Sequence, residues 1–420
     1  MSEKKAYSQA ADTGKYDRTT GLLGKYDNVR KFWEDQTTGI FMRNSLNELV
    51  DRKRKNLERL RIVDLGCGSG DGYELIMNVA MKDPDIHHYM TAAITYDSLK
   101  EYVGLDLNDD LLQQARDHYG HDQKLRFVQG DMSDGLPDII KKDNPFDFYF
   151  TTFGTLSHFH DDQNAQLLAD IALHAPDGAL VTGDWLGRYS YEWQDLWHQP
   201  VDKEYFMDYR ISYIYPEEER EAAHVASFPL RLMTREEILR IIEKAKEISG
   251  IEIKPVKFFD RSIPIGRHME TGEYNRNCPH LRTAVNSLFE GYLRTDLDSL
   301  LVDYVPRHGF DHINNFFESF FMSWNTLIKY TTELLMEYDP ERKMFGSEPE
   351  IQPFYPEPLK KAMHNMRGVV EGTGWVKWGD VRANVIESQL GYSLRELELE
   401  MQPGNGFGHS LIGIFQIQKG

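Results

Sequence analysis

The sequence predicts an α/β protein with a doubly wound, mostly parallel sheet and a helical, aromatic-rich cap or insertion. Three observations carry this. Strand-like apolar runs alternate with helical patterns between about residues 60 and 186, which argues for a parallel sheet covered on both faces. The first run, Arg61-Ile62-Val63, leads into Asp64-Leu65-Gly66-Cys67-Gly68-Ser69-Gly70 and then the helical pattern Tyr73-Glu74-Leu75-Ile76. Residues 260–390 are too long for an ordinary loop and are expected to form a helical insertion or second domain.

Taken in order, the glycines of the first turn remove Cβ atoms where a ligand must approach backbone. The dinucleotide fingerprint G-x-G-x-x-G does not fit, because it needs glycine at Asp71 or at Tyr73. The stretch from Asp83 to Lys100 makes a long gap before the second strand, so an insertion or longer helix is expected there. Tyr102-Val103-Gly104-Leu105-Asp106-Leu107 reads as a buried strand ending in an acid, followed by the helical pattern Leu111–Arg116. A carboxylate in that place can accept hydrogen bonds from both hydroxyls of a ribose. Third, fourth and fifth strands read at Leu125–Met132, Phe146–Thr151 and Gly178–Trp185.

The D-x-G-x-G-x-G turn, the acid of the second strand, Gly130-Asp131-Met132 and the fourth strand come in the order of the motifs of the class I S-adenosylmethionine (SAM) dependent methyltransferases. The chain resembles that superfamily over roughly residues 16–186. The resemblance implies a seven-stranded sheet, SAM as cofactor and S-adenosylhomocysteine as product. It implies cofactor contacts at Asp64, Gly66, Gly68, Gly70, Asp106, Leu107, Asp131, Met132 and Thr152, with Asp131 facing the adenine amino group and Met132 near the ring. In such enzymes an aromatic helical segment before the first motif often folds over the cofactor. By that likeness Tyr16, Tyr26, Trp33 and Arg43 are candidate cofactor or substrate contacts, the alternative being that Phe32, Trp33 and Phe41 anchor the segment on the core. The family also places substrate-binding insertions after the fifth strand, where residues 187–232 hold ten aromatic residues, among them Tyr189, Tyr209 and Tyr213. Aromatic walls exclude water and can face a cation; a packed subdomain core is the other reading.

Methyl transfer is mainly a matter of positioning, and a general base is needed only when the acceptor must lose a proton. The candidates are His158 and His160, in Thr155-Leu156-Ser157-His158-Phe159-His160-Asp161-Asp162 after the fourth strand. A metallohydrolase pattern there is broken at Gln163, and no metal is expected. Asp184 and Trp185 close the fifth strand; Asp184 is a candidate to orient the acceptor, or else a helix cap or surface acid. Arg261, Arg267 and His268 follow a later strand and could grip a carboxylate or phosphate, or make salt bridges. The substrate contacts expected are Tyr16, Trp33, Trp185, Tyr189, Tyr213 and Arg267.

Thr234 and Glu237 make a capping box for a helix to about Ile248. Two segments compete for the sixth strand: Ile251–Phe259, and Ser393–Met401 with its period-two alternation. Ser410–Ile417 resembles the antiparallel seventh strand of the family. The expected division is a helical lid at 1–59, a core at 60–260 with the 187–232 cap, a helical unit at 261–390 and a closing hairpin at 391–420. The apolar run Phe316–Trp324 is expected to pack on the catalytic domain or on a second copy of the chain, as a homodimer.

Composition narrows the partners. The 420 residues have a net charge of −19, and residues 1–60 carry 13 Lys and Arg against 9 Asp and Glu, so the acidity lies in the body. An acidic body repels phosphate backbones and disfavours nucleic acid. No run of 18 apolar residues exists, so no membrane span is expected. The start Met1-Ser2-Glu3-Lys4-Lys5 lacks the apolar core of a secretory signal, and two cysteines suit a reducing cytoplasm. The expected acceptor is a small molecule methylated at O, N, C or S. The alternatives are a protein acceptor, a scaffold that binds without transfer, or another reaction of the cofactor such as aminopropyl transfer.

Overall fold

The computed structural model describes residues 7–8, 26–82, 91–200, 203–210, 227–266, 274–347, 349–376 and 379–420. The strands are β1 (Leu60–Leu65), β2 (Leu99–Asp106), β3 (Leu125–Gln129), β4 (Phe148–Phe150), β5 (Leu180–Gly187), β6 (Phe206–Arg210), β7 (Ser227–Met233), β8 (Glu252–Arg261), a small ribbon β9 (Tyr338–Asp339) with β10 (Met344–Phe345), and β11 (Ser410–Gln418). The central sheet runs β3-β2-β1-β4-β5-β11-β8. β1 to β5 are parallel, and β11 lies antiparallel between β5 and β8. Every residue of β1 is buried, as a strand covered on both faces requires. Chain order reverses at β1, with β2 and β3 on one side and β4 and β5 on the other. The carboxyl ends of β1 and β4 therefore form the switch point where ligands bind in such sheets.

Among the described residues, six helices flank the sheet: α1 (Asp35–Lys55), α2 (Asp71–Met77), α3 (Asp109–Tyr119), α4 (Asp138–Lys141), α5 (Asp161–His174) and α6 (Arg235–Ser249). One apolar layer gathers Leu167, Ile171, Ile241 and Phe415; the opposite one gathers Leu46, Ile76, Leu112 and Ile412. The capping box at Thr234 and Glu237 forms, and α6 stops at Gly250.

The sixth strand is β8. Ser393–Met401 lies in helix α10 (Glu387–Met401), so the expected hairpin at 391–420 is a helix followed by one strand. The alternation there is incidental: Leu390, Leu394 and Leu397, spaced four and three, bury on one helical face. α10 packs with α7 (Leu281–Leu288), α8 (Asp311–Glu337) and α9 (Glu357–Gly372) around Phe317, Phe320, Trp324, Leu359 and Met366.

The apolar run of α8 finds its partners within the chain. Phe321 meets Tyr191 with ring centroids 5.0 Å apart, and Phe317 stacks on Trp197 at 5.6 Å. Tyr189 lies among Trp197, Phe310 and Phe407. The start of the post-β5 segment is thus the seam between sheet and helical unit. Its later part, β6 and β7, forms a hairpin attached to the end of β5 at Leu186 and Gly187. Trp33 is wholly buried in the same seam, 6.0 Å from Trp324, and its indole N–H donates to Glu398 at 3.1 Å. Among the described residues, no helix is long and apolar enough to cross a membrane.

Candidate active site

A cavity of about 350 Å³ opens at the switch point, within the usual range of roughly 300–1,000 Å³ for ligand sites. One half is built from the turns after β1, β2 and β3. The glycine turn places Gly66 and Gly68 on its wall, both at positive φ (82° and 53°). A Cβ on Gly66 would stand 2.5 Å from Thr155 Cγ2, so only glycine lets the turn close against the loop after β4. Asp106 accepts the backbone N–H groups of Gly68 and Asn108, each at 2.8 Å, and so ties the first turn to the second. Leu107, Asp131, Met132 and Thr152 also line this half.

Two expectations are corrected here. Gly70 does not line the cavity: its side faces the rings of Tyr119 and Phe127, and its role is packing. Tyr26 stands one layer back, its hydroxyl donating to Asp71. Asp71 and Gly72 do line the cavity, and the motif reading passed over them.

Four carboxylates thus face one cavity: Asp64, Asp71, Asp106 and Asp131. Burial raises the Asp64 carboxyl to about 7; the Tyr102 hydroxyl, donating at 2.5 Å, pulls it down, and the charges of Asp106 and Asp71 push it up. Its Oδ1 is buried with no hydrogen-bond partner among the described residues. Such a site favours a cationic ligand, which would lower the Asp64 value and occupy the orphaned oxygen. SAM carries an ammonium, a sulfonium, a ribose diol and a flat ring. The residues present fit each: Asp64 and Asp71 the charge, Asp106 the diol, Met132 the ring.

The other half is lined by Tyr7, Leu111, His158, Leu186, Tyr209, Leu230 and His409. His158 stands in the short helical turn Thr155–His158, its Nε2 3.5 Å from the Tyr7 hydroxyl. Both Tyr209 and Leu230 come from the β6–β7 hairpin, which therefore covers this half as a cap.

Six other expected contacts lie elsewhere. His160 caps α5 at the surface, 64% exposed, its Nδ1 2.6 Å from Glu204. Asp184 is fully buried and accepts from Phe153 N–H (2.7 Å) and Arg261 Nη2 (2.9 Å), so its register on β5 turns it under the site. Trp185 points to the opposite face of β5 and packs against Phe415. Trp33 and Tyr189 are spent in the seam with the helical unit. Arg43 binds the carbonyls of Met81 and Lys82, bracing α1 on the segment after α2. Tyr16, Tyr213 and Arg267 lie outside the described residues. Among the described residues, no group of three His, Cys, Asp or Glu side chains is placed to hold a metal ion.

The sequence reading missed His409 and Glu192. His409 lines the cavity, and its Nδ1 lies 2.6 Å from Glu192 Oε2, with both side chains buried. Nothing local marks it: it ends a glycine-rich turn more than 170 residues from the other wall residues. Only the insertion of β11 beside β5, with Gly187 N–H donating to the His409 carbonyl at 3.0 Å, brings it there.

Residues 88–178 match the family described as a methyltransferase domain. No curated protein matches the chain. A SAM-dependent methyltransferase from Clostridium acetobutylicum is similar at 14% identity, over 60% of this chain and 90% of that one, with a TM-score of 0.35. A SAM-bound amino pentose methyltransferase of calicheamicin biosynthesis, from Micromonospora echinaspora, is similar at 16%, over 54% and 86%, with a TM-score of 0.29. A chain of the Haloferax volcanii complex containing the Trm112 methyltransferase activator is similar at 17%, over 49% of this chain and 65% of that one, with a TM-score of 0.29.

The sheet order and the carboxylate-lined cavity at its switch point are those of the class I SAM-dependent methyltransferase fold, and residues 88–178 match a methyltransferase domain. The matched domain ends at residue 178, so β5, the cap hairpin and the helical unit lie beyond it.

Proposed function

We propose that the protein transfers the methyl group of SAM to an O, N, C or S atom of a small molecule held under the β6–β7 cap. The observation that carries this is the continuity of the cavity, from the four-carboxylate half into a wall of Tyr7, His158, Tyr209 and His409. Bound SAM supplies a methyl group on a sulfonium, whose carbon–sulfur electron pair stays with sulfur as the methyl leaves. The chain's own part is to hold and align. Asp106 holds the ribose, Asp64 and Asp71 hold positive charge, and the cap excludes water from the acceptor. The chain has two cysteines, both buried, which supports a reducing, cytoplasmic setting.

The test is calorimetric titration with SAM and S-adenosylhomocysteine. Micromolar binding is expected, weakened in Asp106→Ala at least tenfold, about 1.4 kcal/mol. An intact protein that binds neither would sink the reading.

A second prediction concerns pH. The ionised form of Asp64 is the one that welcomes a cation, and its carboxyl titrates near 7. SAM affinity is therefore expected to fall as pH drops below 7, approaching about tenfold per pH unit as one proton must leave. The count of protons released, from titrations near pH 6 in buffers of different ionisation heat, checks this, and Asp64→Asn should abolish the release. Stability of the ligand-free protein runs the other way. A carboxyl raised from its ordinary value to about 7 in the folded state contributes stability that is present at low pH and lost as pH rises toward 7. Glu398, also raised to about 7, and Asp260, raised to about 6, both by burial, act with the same sign. The melting temperature without SAM should decline between about pH 4 and 7, and less steeply with SAM bound.

A further inference from the structure

We infer that His409 and Glu192 form a proton-accepting pair in the acceptor half of the cavity, and that the acceptor is a hydroxyl of a small alcohol or phenol. The inference rests on the methyltransferase reading above and deepens it. His409, on the cavity wall, has a carboxylate on its ring: Glu192 Oε2 stands 2.6 Å from Nδ1. Both are at least 98% buried, so the pair is shielded from bulk water. A buried carboxylate at Nδ1 selects the neutral tautomer with its proton on Nδ1, which leaves Nε2 as the basic nitrogen, and stabilises the imidazolium once Nε2 takes a proton.

The pair is also rigid. His409 is pinned through its backbone, its N–H donating to the Ser262 carbonyl at 3.0 Å and its carbonyl accepting from Gly187. Glu192 sits in the helical turn Tyr191–Leu196, whose cap Ser190 accepts the Glu192 N–H. The Trp193 ring lies 5.4 Å from the imidazole and is itself held by an indole N–H bond to the Gly187 carbonyl at 2.8 Å. A carboxylate buried at this depth carries a desolvation penalty, and purely apolar packing would fill the place without it.

The chemistry selects the substrate. A carboxylate, thioether or tertiary amine offers its lone pair without losing a proton and needs no base. A hydroxyl does: as its oxygen bonds to the methyl carbon, the O–H bond breaks, oxygen keeps that electron pair, and the proton bonds to Nε2. The imidazolium then returns the proton to solvent after product leaves. Leu111, Leu186 and Leu230 on the same wall suit a largely apolar alcohol or phenol better than a charged acceptor.

The test is nitrogen-15 histidine NMR of the full chain with S-adenosylhomocysteine, using phenol as the acceptor probe. The His409 signals are assigned by their loss in His409→Asn, and Glu192→Gln serves as the variant that keeps volume. A proton is expected on Nδ1, facing Glu192. Phenol should shift Nε2, and Glu192→Gln should weaken that shift. A proton resident on Nε2, a permanent imidazolium, or a ring that phenol leaves unmoved would each overturn the inference. SAM affinity of both variants should stay within about twofold of the parent, while methyl transfer to hydroxyl acceptors should fall by about 10²- to 10⁴-fold. Loss of SAM binding by the parent protein would sink the methyltransferase reading and leave the ring's state as a separate result.

Discussion

Asp184→Ala is expected to lower the unfolding free energy by about 3–5 kcal/mol, because it strands a buried guanidinium. Asp184 and Arg261 are both fully buried, on strands separated only by β11. Arg261 Nη2 donates to Asp184 at 2.9 Å and to Ser410 Oγ at 2.8 Å, and Nη1 donates to Thr38 Oγ1 at 2.9 Å. One cation thus ties β5, β8, β11 and α1 together. Asp184 also accepts the Phe153 N–H at 2.7 Å and so holds the loop after β4, on which Thr152 and Thr155 line the cavity. Removing the carboxylate leaves a charge and a backbone donor without their acceptor. Urea-induced unfolding checks the prediction. A variant of parental stability with slow methyl transfer would instead return Asp184 to the acceptor-orienting role that its position in the sequence suggested. Asp184→Asn, which keeps an acceptor for Phe153, should lose less.

Glu398→Ala is the second large effect, expected to cost at least about 3 kcal/mol, since three buried donors lose their acceptor at about 1–3 kcal/mol each. Trp33 Nε1 and the N–H of Ser262 donate to Oε1, at 3.1 and 3.0 Å, and the N–H of Ile263 donates to Oε2 at 2.9 Å. These donors come from the segment before α1 and from the chain leaving β8, while Glu398 belongs to α10. The side chain is a junction between sheet and helical unit. Its loss should loosen that seam first. Amide exchange at Leu390 and Leu394 should rise more than exchange in β1 or β4, and SAM affinity should change little. Uniform loss of protection throughout the sheet would contradict the assignment of Glu398 to the seam.

These two residues show where a sequence reading reaches its limit. Asp184 looks like a site acid because it ends a strand of the catalytic sheet. Which face its side chain takes depends on the register of β5 against β4 and β11, a matter of pairing across more than 200 residues. Trp33 looked like a lid residue for the same reason: an aromatic residue close before the glycine turn serves equally well as lid or as anchor. Its burial against Trp324 depends on a helical unit whose packing partners are nearly 300 residues away. Ser393–Met401 alternates like a strand, yet three leucines at helical spacing decided its form once a helical face was there to bury them. His409 and Glu192 were invisible, because neither carries a motif and only the sheet order brings them to the cavity.

What the sequence determined by itself is everything that short spacing can encode. The strand–turn–helix rhythm, the positive-φ glycines at Gly66 and Gly68, Asp106 at a strand end and the Thr234–Glu237 box are local arrangements of backbone and near neighbours. They specify the sheet and the cofactor half of the site. The tertiary structure alone decided the half of the cavity under the β6–β7 cap, the seam and the sixth strand. Their residues meet through pairing of distant strands and through packing of a helical layer, and the free energy of those contacts exists only once the chain has closed on itself.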